Sequence, residues 1–205
     1  MEKATFALTG VANLVRQVEF AGRTDRQIAR DLLVAAGTQQ PTRETVDALV
    51  AKYVEFLEQE VQLRAYLPLP GVRETVVALR DRGATLVLGT GNVRSGAHAK
   101  LRSAAVDDLF DMSIGGYGDD ADSRDELLRV GATRADPSAR LPIVIVGDTP
   151  HDVSAAHAIG AVCIAVSTGT YSAEQLRNAG SDHIVPVLSP TIASIIERIA
   201  ICLSP

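Results

Sequence analysis

The sequence predicts an α/β protein in which a helical N-terminal unit precedes a parallel sheet. Two observations support this prediction. Residues 1–66 carry apolar residues at helical spacing, and from Gly71 onwards short apolar strands alternate with helices. Strands joined by helices of this length form a parallel sheet that is covered on both faces. Because the Leu-Pro-Leu-Pro-Gly stretch at 67–71 cannot continue a helix, we expect a helical unit over residues 1–66 and a sheet unit over residues 67–205.

Two amphipathic helices are predicted in the helical unit. Thr24 and Gln27 have the spacing of a capping box, and the apolar residues that follow keep helical spacing until Gly37. Thr42 begins a longer helix whose apolar stripe continues to about Ala65.

The sheet unit alternates between the two kinds of element. The predicted strands are 84–89, 112–115, 143–147 and 162–166, and the predicted helices are 72–82, 93–105, 122–133, 150–159, 172–179 and one that starts at 189–190. The run at 143–147 is β-branched throughout its apolar part, which is typical of a strand buried on both faces.

Composition favours a small-molecule ligand. The chain has 205 residues, of which 46% are hydrophobic and 22% charged, as in a soluble globular protein. Its formal net charge of −5 gives no basic surface for nucleic acid or for an anionic membrane. Cys163 and Cys202 have neither metal-ligand spacing nor a disulfide framework. We therefore expect a cytoplasmic protein without a membrane span, and the sequence leaves its oligomeric state open.

The strand at 143–147 ends at a carboxylate. Asp148 follows it directly, and Asp152 lies in the first turn of the next helix, which Pro150 helps to start. Open α/β sheets bind ligands at this edge. Paired carboxylates there suit Mg²⁺, which keeps several waters for phosphate oxygens to displace. Taken alone, the pattern fits an ordinary strand-to-helix turn equally well.

A second polar turn follows the strand at 84–89. Thr90, Gly91 and Asn92 place a hydroxyl and successive backbone N–H groups at the same sheet edge, as an anion-binding turn requires. Lys100, on the next helix, is the only lysine after the break at 67–71, although arginines are frequent, so a compact charge is expected there. The alternatives are a simple turn and a solvated surface lysine.

Together these motifs resemble the haloacid dehalogenase-like (HAD) hydrolase superfamily. The strand that ends in Thr-Gly-Asn, the helix with Lys100 and the strand that ends in Gly-Asp-Thr-Pro-His-Asp carry the resemblance. Three further segments resemble its phosphoglycolate phosphatase-like members: Leu69-Pro70-Gly71-Val72, Gly22-Arg23-Thr24-Asp25 and Gly115-Gly116-Tyr117-Gly118.

The resemblance implies a Rossmann-like core with a helical cap inserted after the first strand. It also implies Mg²⁺-dependent transfer of a phosphoryl group from a small phosphorylated metabolite to an aspartate, and then to water. Thr90 matches the phosphate-binding hydroxyl, with Gly91 and Asn92 beside it. Asp148 matches the metal-binding acid, Asp152 the second acid and Lys100 the charge-neutralising lysine. The cap would select the substrate, for which Arg23, Thr24 and Arg64 are the polar candidates.

One departure concerns the nucleophile, which the family places in an Asp-x-Asp motif at the end of the first, central strand. Residues 1–66 contain no such strand, and Asp120-Ala121-Asp122 follows glycine-rich sequence rather than a buried strand. We therefore expect an intact-length enzyme with roughly 20 further residues ahead of Met1, and an inactive 205-residue chain. The alternatives are a catalytically inactive regulatory protein that binds phosphate and Mg²⁺, and an unrelated doubly wound binding domain.

Overall fold

The computed structural model describes residues 1–203 and confirms a mixed α/β architecture with parallel sheets. The helices are α1 (Glu2–Thr9), α2 (Asp25–Ala35), α3 (Arg43–Leu63), α4 (Val72–Arg80), α5 (Arg94–Ser103), α6 (Arg124–Ala135), α7 (Pro150–Ala158), α8 (Ala173–Asn178) and α9 (Thr191–Leu203). The strands are β1 (Gly89–Thr90), β2 (Gly116–Tyr117), β3 (Val144–Gly147), β4 (Val162–Val166) and β5 (His183–Val185). Short 3-10 turns occupy Leu14–Gln17 and Asp107–Leu109.

The N-terminal helices pack around a core of their own. Helices α1, α2 and α3 contact one another, and Leu32 and Leu49 are completely buried between them. The predicted capping box of α2 is confirmed, because the Thr24 side chain accepts from the amide of Gln27 and the Gln27 side chain accepts from the amide of Thr24. Val93 of the sheet region belongs to the same apolar cluster, so the helical segment is attached to the region that follows it.

The strands form two separate parallel sheets. One has the order β1-β2, with Gly89 opposite Gly116, and the other has the order β3-β4-β5, with Ile145 opposite Cys163. Helix α6 packs on β1, on β2 and on α7, and α7 packs on β3 and β4, so α6 connects the two sheets. Within residues 1–203, β1 and β3 each have a single strand neighbour.

Two predicted strands differ from those observed. The strand expected at 84–89 is observed as a strand at Gly89 and Thr90, with one further hydrogen bond from the Gly116 amide to the Leu88 carbonyl, and the strand expected at 112–115 lies later, at Gly116 and Tyr117. A ladder needs a neighbouring backbone along its whole length, and β2 offers β1 only two residues. The apolar residues 86–88 are accordingly only half-buried. Strand β5 was not predicted, because three residues before Pro186 give too short a pattern.

Helix positions agree closely with the prediction, and the break between α3 and α4 covers the expected stretch at 67–71. Among residues 1–203, no helix is long and apolar enough to cross a membrane.

Candidate functional site

The first polar turn lies at the end of β1. The backbone amide of Asn92 donates to Oγ1 of Thr90 over 3.2 Å, which closes the turn before α5 begins. Gly91 is buried against the segment that leads into α2, and a Cβ at this position would lie 2.5 Å from the carbonyl oxygen of Arg23. Only glycine permits this approach, so the predicted phosphate-binding turn lies directly beneath the N-terminal helices.

A buried ionic network surrounds this turn. Asp25, only 4% exposed, accepts hydrogen bonds from the amide of Val93 over 2.9 Å and from Nδ2 of Asn92 over 3.2 Å. Lys100 Nζ donates to Oδ1 of the same Asn92 over 3.0 Å and lies 5.9 Å from the centre of the Tyr53 ring. Burial raises the pKa of Asp25 and lowers the pKa of Lys100, while the attraction between the two charges opposes both shifts.

The second polar turn lies at the end of β3. Asp152 is 3% exposed, and its Oδ2 accepts from the amides of Asp148 and Thr149 at 3.2 and 3.0 Å and from the Thr149 hydroxyl at 2.8 Å. The amide of Asp152 in turn donates to Thr149 Oγ1, which completes a capping box at the start of α7. Asp152 therefore shapes the loop that carries Asp148.

Arg124 supplies the positive charge of this second turn. It lies in the first turn of α6, and its Nε and NH2 groups both contact Oδ1 of Asp152, at 2.7 and 2.6 Å. Asp148 remains exposed, but desolvation by its neighbours and then the charge of Asp152 raise its pKa, against the attraction of Arg124. Arg124 is thus a cation whose charge acts on Asp148.

One short segment contacts both turns. Gly22 has a φ of 70°, and a Cβ there would lie 2.2 Å from the ring of His151, in the first turn of α7. The adjacent Arg23 carbonyl lies against Gly91. Because two consecutive residues contact both loops, the Thr90 turn and the Asp148 loop lie at the same end of the molecule.

The cap residues predicted to select the substrate have other partners. Arg23 forms an ion pair with Asp31 at 2.7 Å, and Thr24, only 1% exposed, uses its side chain to cap α2. Arg64 is exposed at the end of α3. Their role toward a substrate stays a prediction.

The Asp148 loop fits a hard divalent cation of the Mg²⁺ type. No group of three His, Cys, Asp or Glu side chains within residues 1–203 could hold a metal by itself. Mg²⁺ needs no such cage, because it is held by one or two carboxylates together with waters and substrate phosphates. A Cβ at Gly169, in the loop after β4, would lie 2.2 Å from Oδ2 of Asp148, so this glycine leaves space for the carboxylate. Within residues 1–203, no other residue donates a hydrogen bond to the Asp148 carboxylate.

Asp25 and Arg124 were not predicted from the sequence. Asp25 belongs to the Gly22-Arg23-Thr24-Asp25 motif, of which the sequence analysis assigns only Arg23 and Thr24 to substrate selection. Arg124 has no distinguishing signal in the sequence, because Arg43 and Arg94 also occupy the first position of a helix.

Several known proteins are similar to this chain in sequence. A family model described as haloacid dehalogenase-like hydrolase matches residues 7–160. The probable phosphatase IndB of Dickeya dadantii is 30% identical over 169 residues, which cover 79% of this chain and 71% of that protein. The phosphoglycolate phosphatase of Caulobacter vibrioides is 27% identical over 187 residues, covering 90% and 76%.

Solved structures show the same fold. A phosphonoacetaldehyde hydrolase-like protein from Oleispira antarctica superimposes with a TM-score of 0.69 at 17% identity, covering 98% of this chain and 86% of that one. A hydrolase from Pseudomonas syringae gives a TM-score of 0.67 at 18% identity, covering 97% and 89%. With the family model matching most of its length, the chain belongs to the haloacid dehalogenase-like hydrolases.

Proposed function

We propose that this protein acts as a Mg²⁺-dependent phosphatase on a small phosphorylated metabolite in the cytoplasm, with its first 66 residues serving as the cap. The observation that supports this proposal most directly is that Gly22 and Arg23 contact both Gly91 and His151. We infer from these contacts that the Thr90 turn and the Asp148 loop form opposite sides of one site. The names of the relatives, a probable phosphatase and a phosphoglycolate phosphatase, support a phosphate ester as the substrate class.

Each side of the site would have its own task. The Thr90 hydroxyl and the backbone N–H of Gly91 would bind phosphoryl oxygens, with Asn92 and Lys100 next to them, while the amides of Asn92 and Val93 donate to Thr90 and Asp25. Asp148 would bind Mg²⁺ directly, and the metal would neutralise charge on the transferring group. Asp152, predicted as a second metal-binding acid, has oxygens already engaged by Arg124, Thr149 and the Asp148 amide, so we assign it the support of Asp148.

The nucleophile is expected on an additional strand. Covalent phosphoryl transfer requires a carboxylate that attacks phosphorus while the alcohol leaves, followed by water that releases phosphate. Asp120-Ala121-Asp122 begins three residues after the buried strand β2, but the Asp120 carboxylate is engaged by the Tyr117 amide and by Arg134, and no Asp-x-Asp sequence follows β1, β3, β4 or β5. Strands β1 and β3 each have one neighbour, and Val146 of β3 is 41% exposed, which is unusual for a central parallel strand. We therefore propose that the nucleophile strand pairs with β1 and β3.

The test compares two proteins: the 205-residue chain, and an extended chain that carries an apolar strand ending in Asp-x-Asp ahead of Met1. We expect only the extended protein to hydrolyse p-nitrophenyl phosphate, and this activity should require Mg²⁺ and disappear with EDTA. An extended protein that binds Mg²⁺ and inorganic phosphate without turnover would overturn this proposal in favour of an inactive regulatory protein.

A further inference from the structure

The contacts between α2 and the Thr90 turn are unusual for a helix N-terminus. Asp25 is the first residue of α2, where a carboxylate ordinarily serves the amides of its own helix. Here both carboxylate oxygens accept hydrogen bonds from Asn92 and Val93, and the amide of Asp25 donates to the carbonyl of Gly91 over 2.8 Å. Three hydrogen bonds therefore join one residue of the N-terminal helices to the turn that follows β1.

Asn92 is fixed at both ends of its side-chain amide. Its NH₂ group faces the Asp25 carboxylate and its oxygen faces the Lys100 ammonium, so the donor and acceptor ends each meet the partner of suitable charge. The backbone amide of Asn92 donates to the Thr90 hydroxyl. A continuous hydrogen-bonded path thus runs from the cap, through Asn92, to the proposed phosphate-binding hydroxyl.

A second contact makes Lys100 depend on the same helices. Tyr53 of α3 lies below its ammonium, and α3 packs against α5, the helix that carries Lys100. A buried charged group that loses its partner destabilises the protein. We therefore expect the contacts among Asp25, Asn92 and Lys100 to be made or broken together. Movement of the cap would break all of these contacts at once.

We propose that Asp25, Asn92 and Lys100 form a latch. This latch holds the Thr90 turn in its phosphate-binding conformation only while the N-terminal helices of the cap are packed against that turn. Asp25 and Lys100 are positioning residues in this proposal, since both act through Asn92. The existence of the latch stands on the contacts alone. Its effect on phosphate binding rests on the proposed function.

Amide hydrogen exchange tests the latch without any substrate. In Asp25→Asn, we expect the Val93 amide to exchange about 10- to 100-fold faster, the scale of losing a hydrogen bond to a charged acceptor. Lys100→Met should give a smaller acceleration at the same amide, because it releases only one end of Asn92. Glu44→Gln, at an exposed position of α3, and Lys52→Met, whose half-exposed side chain pairs with Glu55, are matched controls and should leave Val93 unchanged. Unchanged Val93 exchange in Asp25→Asn would overturn the latch.

The link to phosphate is tested separately in the extended, active protein. Asp25→Asn and Asn92→Ser should each raise KM and the dissociation constant of inorganic phosphate several-fold, and the double variant should be no worse than the stronger single one. Additive effects would overturn the path through Asn92. If Lys100→Met lowers kcat about 100-fold while KM and Val93 exchange stay unchanged, Lys100 acts on the phosphoryl group directly. That result would overturn the assignment of Lys100 to the latch. Faster Val93 exchange in a protein without phosphatase activity would refute the proposed function and leave the latch intact.

Discussion

The two sides of the site are held in place by different kinds of contact. The Thr90 turn depends on residues distant in the chain, since Asp25 and Asn92 are 67 positions apart. The Asp148 loop is held mainly by its immediate neighbours, since Thr149 and Asp152 are three positions apart, and Arg124 adds one ion pair. The Asp148 side is therefore expected to assemble within its own sheet, whereas the Thr90 side needs the cap.

The largest effect is expected for Asp148, the carboxylate proposed to bind the metal. Asp148→Asn should abolish Mg²⁺ binding while leaving the fold intact, because the side chain is exposed and no other described residue donates to it. Asp152→Asn should weaken binding by about 10- to 100-fold, as expected for a residue that orients a ligand. Calorimetric titration of Mg²⁺ measures both. Equal losses in the two variants would show that Asp152 binds the metal itself, as the sequence predicted.

The next effect concerns the ion pair that supports this loop. Arg124→Met leaves a nearly buried carboxylate unpaired and should lower the free energy of unfolding by about 3 kcal/mol. The matched control is Arg134→Met, which breaks a pair with Asp120. There the arginine and aspartate side chains are 35% and 15% exposed, against 23% and 5% for Arg124 and Asp152, so a smaller loss is expected.

Urea denaturation measures both free energies. Arg124→Lys should recover only part of the stability, because a lysine cannot reproduce two contacts from one planar group. A loss in Arg124→Met no larger than that in Arg134→Met would mean that the Asp148 loop is held by its capping box alone.

Helix positions were predictable because their signals are local. The caps at Thr24, Thr42 and Ser172 each depend on residues within three positions, and all three accept from the expected backbone amide. Strand limits were harder, because a strand is defined by its neighbour as well as by its own residues. The strand at 84–89 shows this, since only its last residue and Thr90 find a paired backbone.

The partners of the site residues were harder still. Thr90, Asp148 and Lys100 stand out in the sequence because they follow strands or are rare in type. Asp25 and Arg124 become interpretable only when the fold brings them to Asn92 and Asp152. The spacing of Thr149 and Asp152 is that of a capping box, so a structural role for Asp152 at the start of α7 is readable from the sequence.

The smallest effect is expected from Thr149, and it tests whether the Asp148 loop is held by its immediate neighbours. Its hydroxyl accepts from the amide of Asp152 and donates to Oδ2 of the same residue. Thr149→Ala should lower the free energy of unfolding by about 1 kcal/mol, the usual cost of a lost N-cap. Ser172→Ala removes the capping box of α8, on an element without a residue of the site, and should cost a similar amount.

The two variants should differ in metal binding. If the Asp148 loop is held by its own neighbours, Thr149→Ala lets Asp152 move and weakens Mg²⁺ binding several-fold, whereas Ser172→Ala does not. Thr149→Ser keeps the hydroxyl and should restore both stability and metal affinity. Equal Mg²⁺ affinity in Thr149→Ala and Ser172→Ala, at equal loss of stability, would show that the capping box stabilises α7 without positioning Asp148. The support of the metal side would then come from Arg124, a distant residue, as the support of the Thr90 side comes from Asp25.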